Sequence, residues 1–410
     1  MTEIISESDL LTDFAVREHR SLWLDAWRRL ISNRTAMFGL IVVAIFVLSA
    51  VGAHFFWTYD AKTDLDYGSK LLAPTLRVSE SSPQAHWFGT DKLGRDIFRR
   101  VIHGGWNSLR VGLVAVAISL AAGGLLGLLA GFFESTELNK WESAAFMAVV
   151  AGGLGALPGW IARQNFQIVL FALLGVVSVL RPAWFAGKAW QRMAAFGGLG
   201  LLIGGLSGLW VAPAVGLVCA VVGLAIGLLT AKPLNGKVFS DIVMRVMDVI
   251  LSFPSYLLAI AIVAFLGPGL EKGMIAIGVV GIPIYARLAR SAVLSVTQKE
   301  YILAAQSVGE AHGRVLFRHI VPNILSPIIV QATMGLANAI LSAAALGFLG
   351  LGAIPPEPEW GAMLGDSYKY LSSGAWWAVL FPGLAIMFSV LGFNLLGDGL
   401  RDALDPKMRV

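Results

Sequence analysis

Thr297 to Pro322 reads TQKEYILAAQSVGEAHGRVLFRHIVP, and it is polar and basic between two apolar runs, Lys272 to Val296 and Asn323 to Leu349. Thr297-Gln-Lys-Glu300 has the spacing of a capping box, so a helix is expected to start here. Ala304 and Ala305 are small and allow close backbone approach on their face of that helix. Gly309 can take positive φ and end it. His312 to Ile320 is expected to form a second short helix. Pro322 then opens the next span, where its missing N–H costs nothing. The expected product is a helix–turn–helix joined directly to two membrane helices. A stiff element so placed can pass force between a soluble partner and the membrane.

The flanking runs set the class of the whole chain. Of its 410 residues 57% are hydrophobic and only 14% charged, against about 25% charged in soluble domains. Mean hydropathy is +0.73. The deficit comes from apolar runs of roughly 20 residues, the length that crosses about 30 Å of hydrocarbon. An all-α polytopic membrane protein is the expected class. The spans read Thr35 to Phe56, Trp106 to Phe133, Val238 to Leu266, Lys272 to Val296, Asn323 to Leu349 and Ala375 to Leu400. Four further Gly-rich segments lie between them, Ser143 to Ile161, Phe166 to Leu180, Met193 to Val211 and Ala214 to Thr230. Two of these open alike, at Met147 and Met193, and both a duplicated hairpin and a chance match in Gly/Ala/Leu sequence stay open. Trp57 to Gly105 is polar, holds Pro74 and Pro83, and reads as an extramembrane segment. Trp376 and Trp377 read as an aromatic belt.

Net charge is +5, which the excess of Lys and Arg in cytoplasmic loops explains. Nucleic-acid binding would need a basic face with stacking aromatics, and the sequence has none. The basic clusters are Arg17 to Arg34, Arg287 to Arg318, and the tail with Arg401, Lys407 and Arg409. Placing all three inside requires an even number of spans. Ten spans with both termini cytoplasmic is the consistent count, or eight if one apolar pair is re-entrant. Residues 1–34 form a cytoplasmic arm. Met1 to Asp13 is acidic and lacks the basic start of a cleavable signal. In Ser21 to Asn33, Leu22, Trp23, Ala26 and Leu30 share one face opposite Arg28 and Arg29, as in a helix lying on the membrane surface.

The hairpin carries a resemblance. Ala304-Ala305, Gly309 four residues on, and Pro322 beyond are similar to the coupling loop of prokaryotic ABC importer permeases. The pattern departs at Leu303, where that family's motif has Glu, and at His319, where an apolar residue is common. Further segments resemble the dipeptide/oligopeptide/nickel branch, C-type subunit, in the same order along the chain. They are His86-Trp-Phe-Gly-Thr-Asp-Lys-Leu-Gly-Arg-Asp-Ile-Phe98, Asn107 to Gly112, Arg245-Val-Met-Asp248 with Phe253-Pro254, Leu346 to Gly352 with Glu359-Trp-Gly361, and Asn394 to Asp402 with Asp405-Pro406. The resemblance implies a type I ABC importer transmembrane domain with a six-span core. Residues 134–236 are then an insertion of about four extra transmembrane helices, and 237–410 continue the core with its coupling loop at 297–322.

By the same resemblance, Ala304, Ala305, Gly309, Glu310, Arg314, Arg318 and Pro322 would seat on an ATPase subunit. The implied partners are a homologous second permease, two ATPase subunits and an extracytoplasmic substrate-binding protein, in a prokaryotic plasma membrane. The implied cargo is di- or oligopeptide, with nickel complexes, opines and glycoconjugates as family alternatives. No G-x-x-x-x-G-K-[S/T] sequence occurs, so ATP and Mg belong to the partner ATPases and this chain is not an enzyme. Its six histidines and single Cys219 have no metal-ligand spacing. Arg245 and Asp248 lie three residues apart on one helix and read either as a packing pair or as a gate. Asn338 and Asn394 read as pathway residues or as interhelical hydrogen-bonders. The competing class is a self-sufficient secondary transporter or channel. It calls for mid-membrane coupling acids and inverted repeats, which the sequence does not display.

Overall fold

A computed structural model describes residues 22–57, 59–60, 64–76, 85–135 and 236–404. The four inserted segments expected between 143 and 230 lie outside the described residues. Among the described residues the regular elements are helices, with one antiparallel bridge between Thr90 and Asp96. In chain order they are α1 (Leu22–Ser32), α2 (Arg34–Phe56), α3 (Ile97–Ser135), α4 (Gly236–Ser252), α5 (Ser255–Leu266), α6 (Leu270–Thr297), α7 (Glu300–Ser307), α8 (Val321–Phe348), α9 (Trp360–Ser367) and α10 (Trp377–Leu404). A short turn at His312–Arg314 and a π turn at Val315–Ile320 lead straight into α8.

Among the described residues five helices are long and apolar enough to cross a bilayer: α2, α3, α6, the continuous run His312–Phe348, and α10. The expected single span Val238 to Leu266 is instead broken between α4 and α5, and the pair makes a sixth only if counted as one span. Pro254 is the reason. It has no N–H to donate and its ring clashes with the carbonyl one turn back, so α4 stops and Pro254 caps α5. α3 also begins earlier than expected, at Ile97 rather than Trp106.

The chain divides into two compact units. The first draws on residues 1–124, 250–288 and 321–410. Within it α2 packs on α10, α8 on α9 and α10, and α1 on α10. α2 is apolar on every side, yet it buries Ala36, Gly39, Val43, Phe46, Ala50 and Ala53 on one stripe. Phe38, Ile41, Ile45 and Leu48 stand exposed on the other. An exposed apolar stripe at helical spacing suits lipid rather than water. A side chain at Gly39 would place its Cβ 2.8 Å from Leu395 Cβ and from the Leu396 nitrogen. The glycine therefore lets α2 and α10 cross almost backbone to backbone.

α1 departs from its expected orientation. Ala26 and Leu30 pack inward with Ala36 and Ala403, while Leu24, Trp27 and Ile31 are exposed. Trp377 is not an interfacial belt residue either. It is buried, and its Nε1 donates to the Thr90 carbonyl at 3.2 Å. Its neighbour Trp376 is exposed.

The 86–98 motif folds around Asp91. Its carboxylate accepts from the Leu93 and Arg95 backbone N–H groups and from the Arg95 and Arg100 guanidinium groups, and all three charged residues are buried. A buried charge survives only with this degree of pairing. Glu359 plays a similar part for α9. It accepts from the Gly361 and Ala362 N–H groups at 2.8 Å and so caps the helix. Burial pushes its carboxyl up to about 6, against the lowering effect of those two hydrogen bonds. Gly361 lets α9 lie on α8, since a Cβ there would stand 2.1 Å from the Ala344 carbonyl oxygen.

The second unit draws on residues 125–249 and 289–320. Ala130, Phe239 and Val243 form its apolar cluster, with Leu126, Leu129, Phe133, Ile242 and Met244 packed against them. A Cβ on Gly131 would meet Val293 Cβ at 2.8 Å and the Arg290 carbonyl oxygen at 2.9 Å. The end of α3 and the end of α6 are thus in close contact in this unit.

Candidate functional site

The 297–322 hairpin lies in this second unit up to Ile320. The expected capping box does not form. Thr297 is still the last residue of α6, and its hydroxyl donates to the Leu294 carbonyl at 3.0 Å. The helical backbone of the preceding span holds Thr297, so the chain turns two residues later. Lys299, in extended conformation, caps α7 without a side-chain hydrogen bond.

The end of α7 follows its sequence closely. Gly309 has φ +77°. Its N–H donates to the Gln306 carbonyl at 3.0 Å, and the next N–H, of Glu310, donates to the Ala305 carbonyl at 3.1 Å. These two bonds make a Schellman motif, which satisfies the last carbonyls of the helix. The chain then reverses. Ile302 of α7 is buried, as are Val315, Leu316 and Ile320 of the return segment. Glu310 locks the turn: its Oε2 is 3.0 Å from His319 Nε2, and its Oε1 is 3.9 Å from Arg314 Nε. The departure at His319 thus has a structural use within the hairpin.

The second expected helix is not separate. His312 to Phe348 is one helical run, and Pro322 is the second residue of α8 within it. The π turn just ahead widens the backbone where proline removes a donor. The return arm of the hairpin therefore runs into α8 without an intervening loop.

Several apolar side chains of the hairpin are exposed. Tyr301, Leu303, Val308 and Phe317 are exposed, the last two at 84% and 69%. Ala304, Gly309, Arg314 and Arg318 are exposed among them, and Ala305 and Glu310 are half-buried. A Cβ on Gly309 or Gly313 would touch nothing within 4 Å. The structure thus gathers the sequence-named loop residues other than Pro322 on one small element and leaves apolar and basic side chains of it exposed. The remaining candidates are scattered. Arg245 and Asp248 are both exposed on α4. Asn338 is exposed on α8 and Asn394 half-buried on α10.

A group not singled out from sequence lies in the same unit as the hairpin. Arg290 donates to Glu134 Oε2 from Nε at 3.0 Å and from a terminal nitrogen at 2.7 Å. Ser240 Oγ donates to the same Glu134 oxygen at 2.7 Å and accepts from Arg290 Nε at 2.7 Å. Ser240 is fully buried. Charged residues in or beside apolar runs were the available signal.

Residues 223–410 match the family model described as binding-protein-dependent transport system inner membrane component. Residues 21–74 match the N-terminal TM domain of oligopeptide transport permease C. The dipeptide transport system permease protein DppC of Alkalihalophilus pseudofirmus is 37% identical over 95% of this chain and 91% of its own. The chain belongs to this family of ABC importer permeases. The permease is also 35% identical to the di/tripeptide transport system permease protein DppC of Pseudomonas aeruginosa, over 93% of this chain and 91% of that one. Against the glutathione transport system permease protein GsiD of Escherichia coli O157:H7 it is 35% identical, over 95% and 92% respectively. The helical architecture is accordingly that of a type I ABC importer transmembrane domain. The permease is a multi-pass inner-membrane protein.

Proposed function

We propose that the permease is the C-type membrane subunit of an ATP-driven importer of di- and oligopeptides, and that the 297–322 hairpin is its ATPase-docking element. One observation carries the reading. The hairpin is closed internally by Ile302, Val315 and Ile320 and by the Glu310–His319 contact, yet turns Leu303, Val308 and Phe317 outward. Exposed apolar side chains on a rigid element mark a protein interface. The unbroken helical run from His312 to Phe348 would carry a displacement of the docked hairpin into the bundle. ATP and Mg would be held by two partner ATPases, with no catalysis by this chain. A homologous permease would complete the pathway, with Asn338 and Asn394 near it. A binding protein would deliver peptide on the face opposite the hairpin, both termini being cytoplasmic. Nucleotide-driven closure of the ATPases would favour one of two arrangements of the paired permeases. The peptide class follows from the named relatives.

Reconstitution tests it. Proteoliposomes holding both permeases and the ATPases should accumulate labelled dipeptide only with ATP and the binding protein. Uptake by this chain alone, without ATP, would instead establish a self-sufficient transporter.

A further inference from the structure

The geometry points to Arg290, held by Glu134 and Ser240, as the residue that positions the coupling hairpin. This inference rests on the docking role proposed above and adds to it a specific brace. Arg290 lies two turns before Thr297, where α6 gives way to the hairpin. Its guanidinium makes two bonds to one carboxylate oxygen and one to a buried hydroxyl. Glu134 belongs to α3 and Ser240 to α4, so the three side chains fasten three helices at one point. The two acceptors are separated from Arg290 by 156 and 50 residues. The clamp is thus a long-range tie rather than a local helix pair.

Backbone packing reinforces the tie. Gly131, one turn before Glu134, leaves room for Val293 and the Arg290 carbonyl. Phe132 meets the His312 ring edge-on, with centroids 6.3 Å apart, so α3 also touches the hairpin itself. A docked ATPase pushes on a lever only as effectively as the base of the lever is held. Here the base is held by a charged pair in which Nε and a terminal nitrogen of Arg290 both reach one Glu134 oxygen, a geometry that sets the orientation of the guanidinium. Without the clamp the end of α6 can tilt and absorb the displacement that should reach the bundle.

The test uses the complete transporter, with Arg290→Gln, Arg290→Lys and Glu134→Gln in this chain. Hydrogen exchange of residues 300–314 is the first readout. It should quicken by about tenfold in Arg290→Gln while α9 and α10 keep wild-type protection. Peptide taken up per ATP hydrolysed is the second, and it should fall by about tenfold at equal amounts of assembled complex. Arg290→Lys keeps the charge and should recover most of both. If Arg290→Gln fails to assemble, Ser240→Ala leaves the ion pair intact and should show a smaller change of the same sign. Wild-type exchange in the hairpin of Arg290→Gln or Ser240→Ala would overturn the positioning role. Capture of the ATPase separates the two ideas. A wild-type permease that captures none refutes the docking reading. Normal capture with unchanged exchange in the variants refutes the clamp alone.

Discussion

Phe317→Ala should weaken ATPase docking sharply while leaving the permease folded. The side chain is 69% exposed on the return arm of the hairpin. A phenylalanine offers roughly 150–250 Å² for burial, so covering the exposed part removes roughly 100–170 Å² from water. At about 25 cal/mol per Å² this is roughly 3–4 kcal/mol. Ordering of the interface offsets part of it, leaving roughly 2 kcal/mol. The dissociation constant should therefore rise about thirtyfold. An exposed side chain contributes within about 0.5 kcal/mol to folding, so the thermal midpoint of detergent-purified permease should hardly move. The assay is titration of the ATPase onto nanodisc-held permease. Affinity within threefold of wild type would refute the claim that this face is covered in the working complex.

Gly309→Val should destabilise the hairpin by about 1–2 kcal/mol because φ +77° excludes a β-branched residue, whereas Gly313→Ala should be near neutral; hydrogen exchange across 300–314 compares them. Gly361→Ala should cost about 1–3 kcal/mol, since its Cβ would stand 2.1 Å from the Ala344 carbonyl oxygen, and the thermal midpoint reports it. Glu359 gives a pH dependence with a definite sign. Its folded value of about 6 lies above the ordinary 4.5, so the folded state holds the proton more tightly. Its contribution is full below pH 4.5 and lost as pH rises through 6, by roughly 2 kcal/mol in all. Glu359→Gln should flatten that part of the stability profile in denaturant titrations. Replacing 136–235 by a flexible linker of about 10 residues, with a reach of roughly 17 Å, should leave the core folded, because Glu134 and Ser240 already meet at 2.7 Å; retained ATPase capture checks it.

The membrane class and the hairpin were legible because both rest on local signals. Apolar runs of bilayer length announce spans wherever they occur, and Gly309, just past the expected helix, suits the left-handed turn that ends it. The errors arose where a neighbouring helix or a distant contact overrides a local cue. Thr297 has the pattern of a cap, but it is captured by the helix that precedes it. Trp377 resembles a belt residue until Thr90, far back in the chain, gives its indole N–H a buried acceptor. Ala26 and Leu30 have the spacing of a lipid-facing stripe, and α10 takes that face instead. The Pro254 break was foreseeable from proline chemistry, but its apolar flanks masked it. The Glu134–Ser240–Arg290 group lay beyond any window, since its members come from three helices and span more than 150 residues. His319 read only as a departure from the family pattern, and its use appeared once Glu310 was seen beside it.

A single cysteine at Val308 tests the central claim most directly. Val308 is 84% exposed at the tip of the hairpin. In a Cys219→Ser background, Val308→Cys should react with a water-soluble maleimide in the permease alone. Binding of the ATPase should protect it, and a short bifunctional reagent should join the two proteins there. Equal labelling with and without the ATPase, or protection by lipid alone, would contradict a docked coupling hairpin.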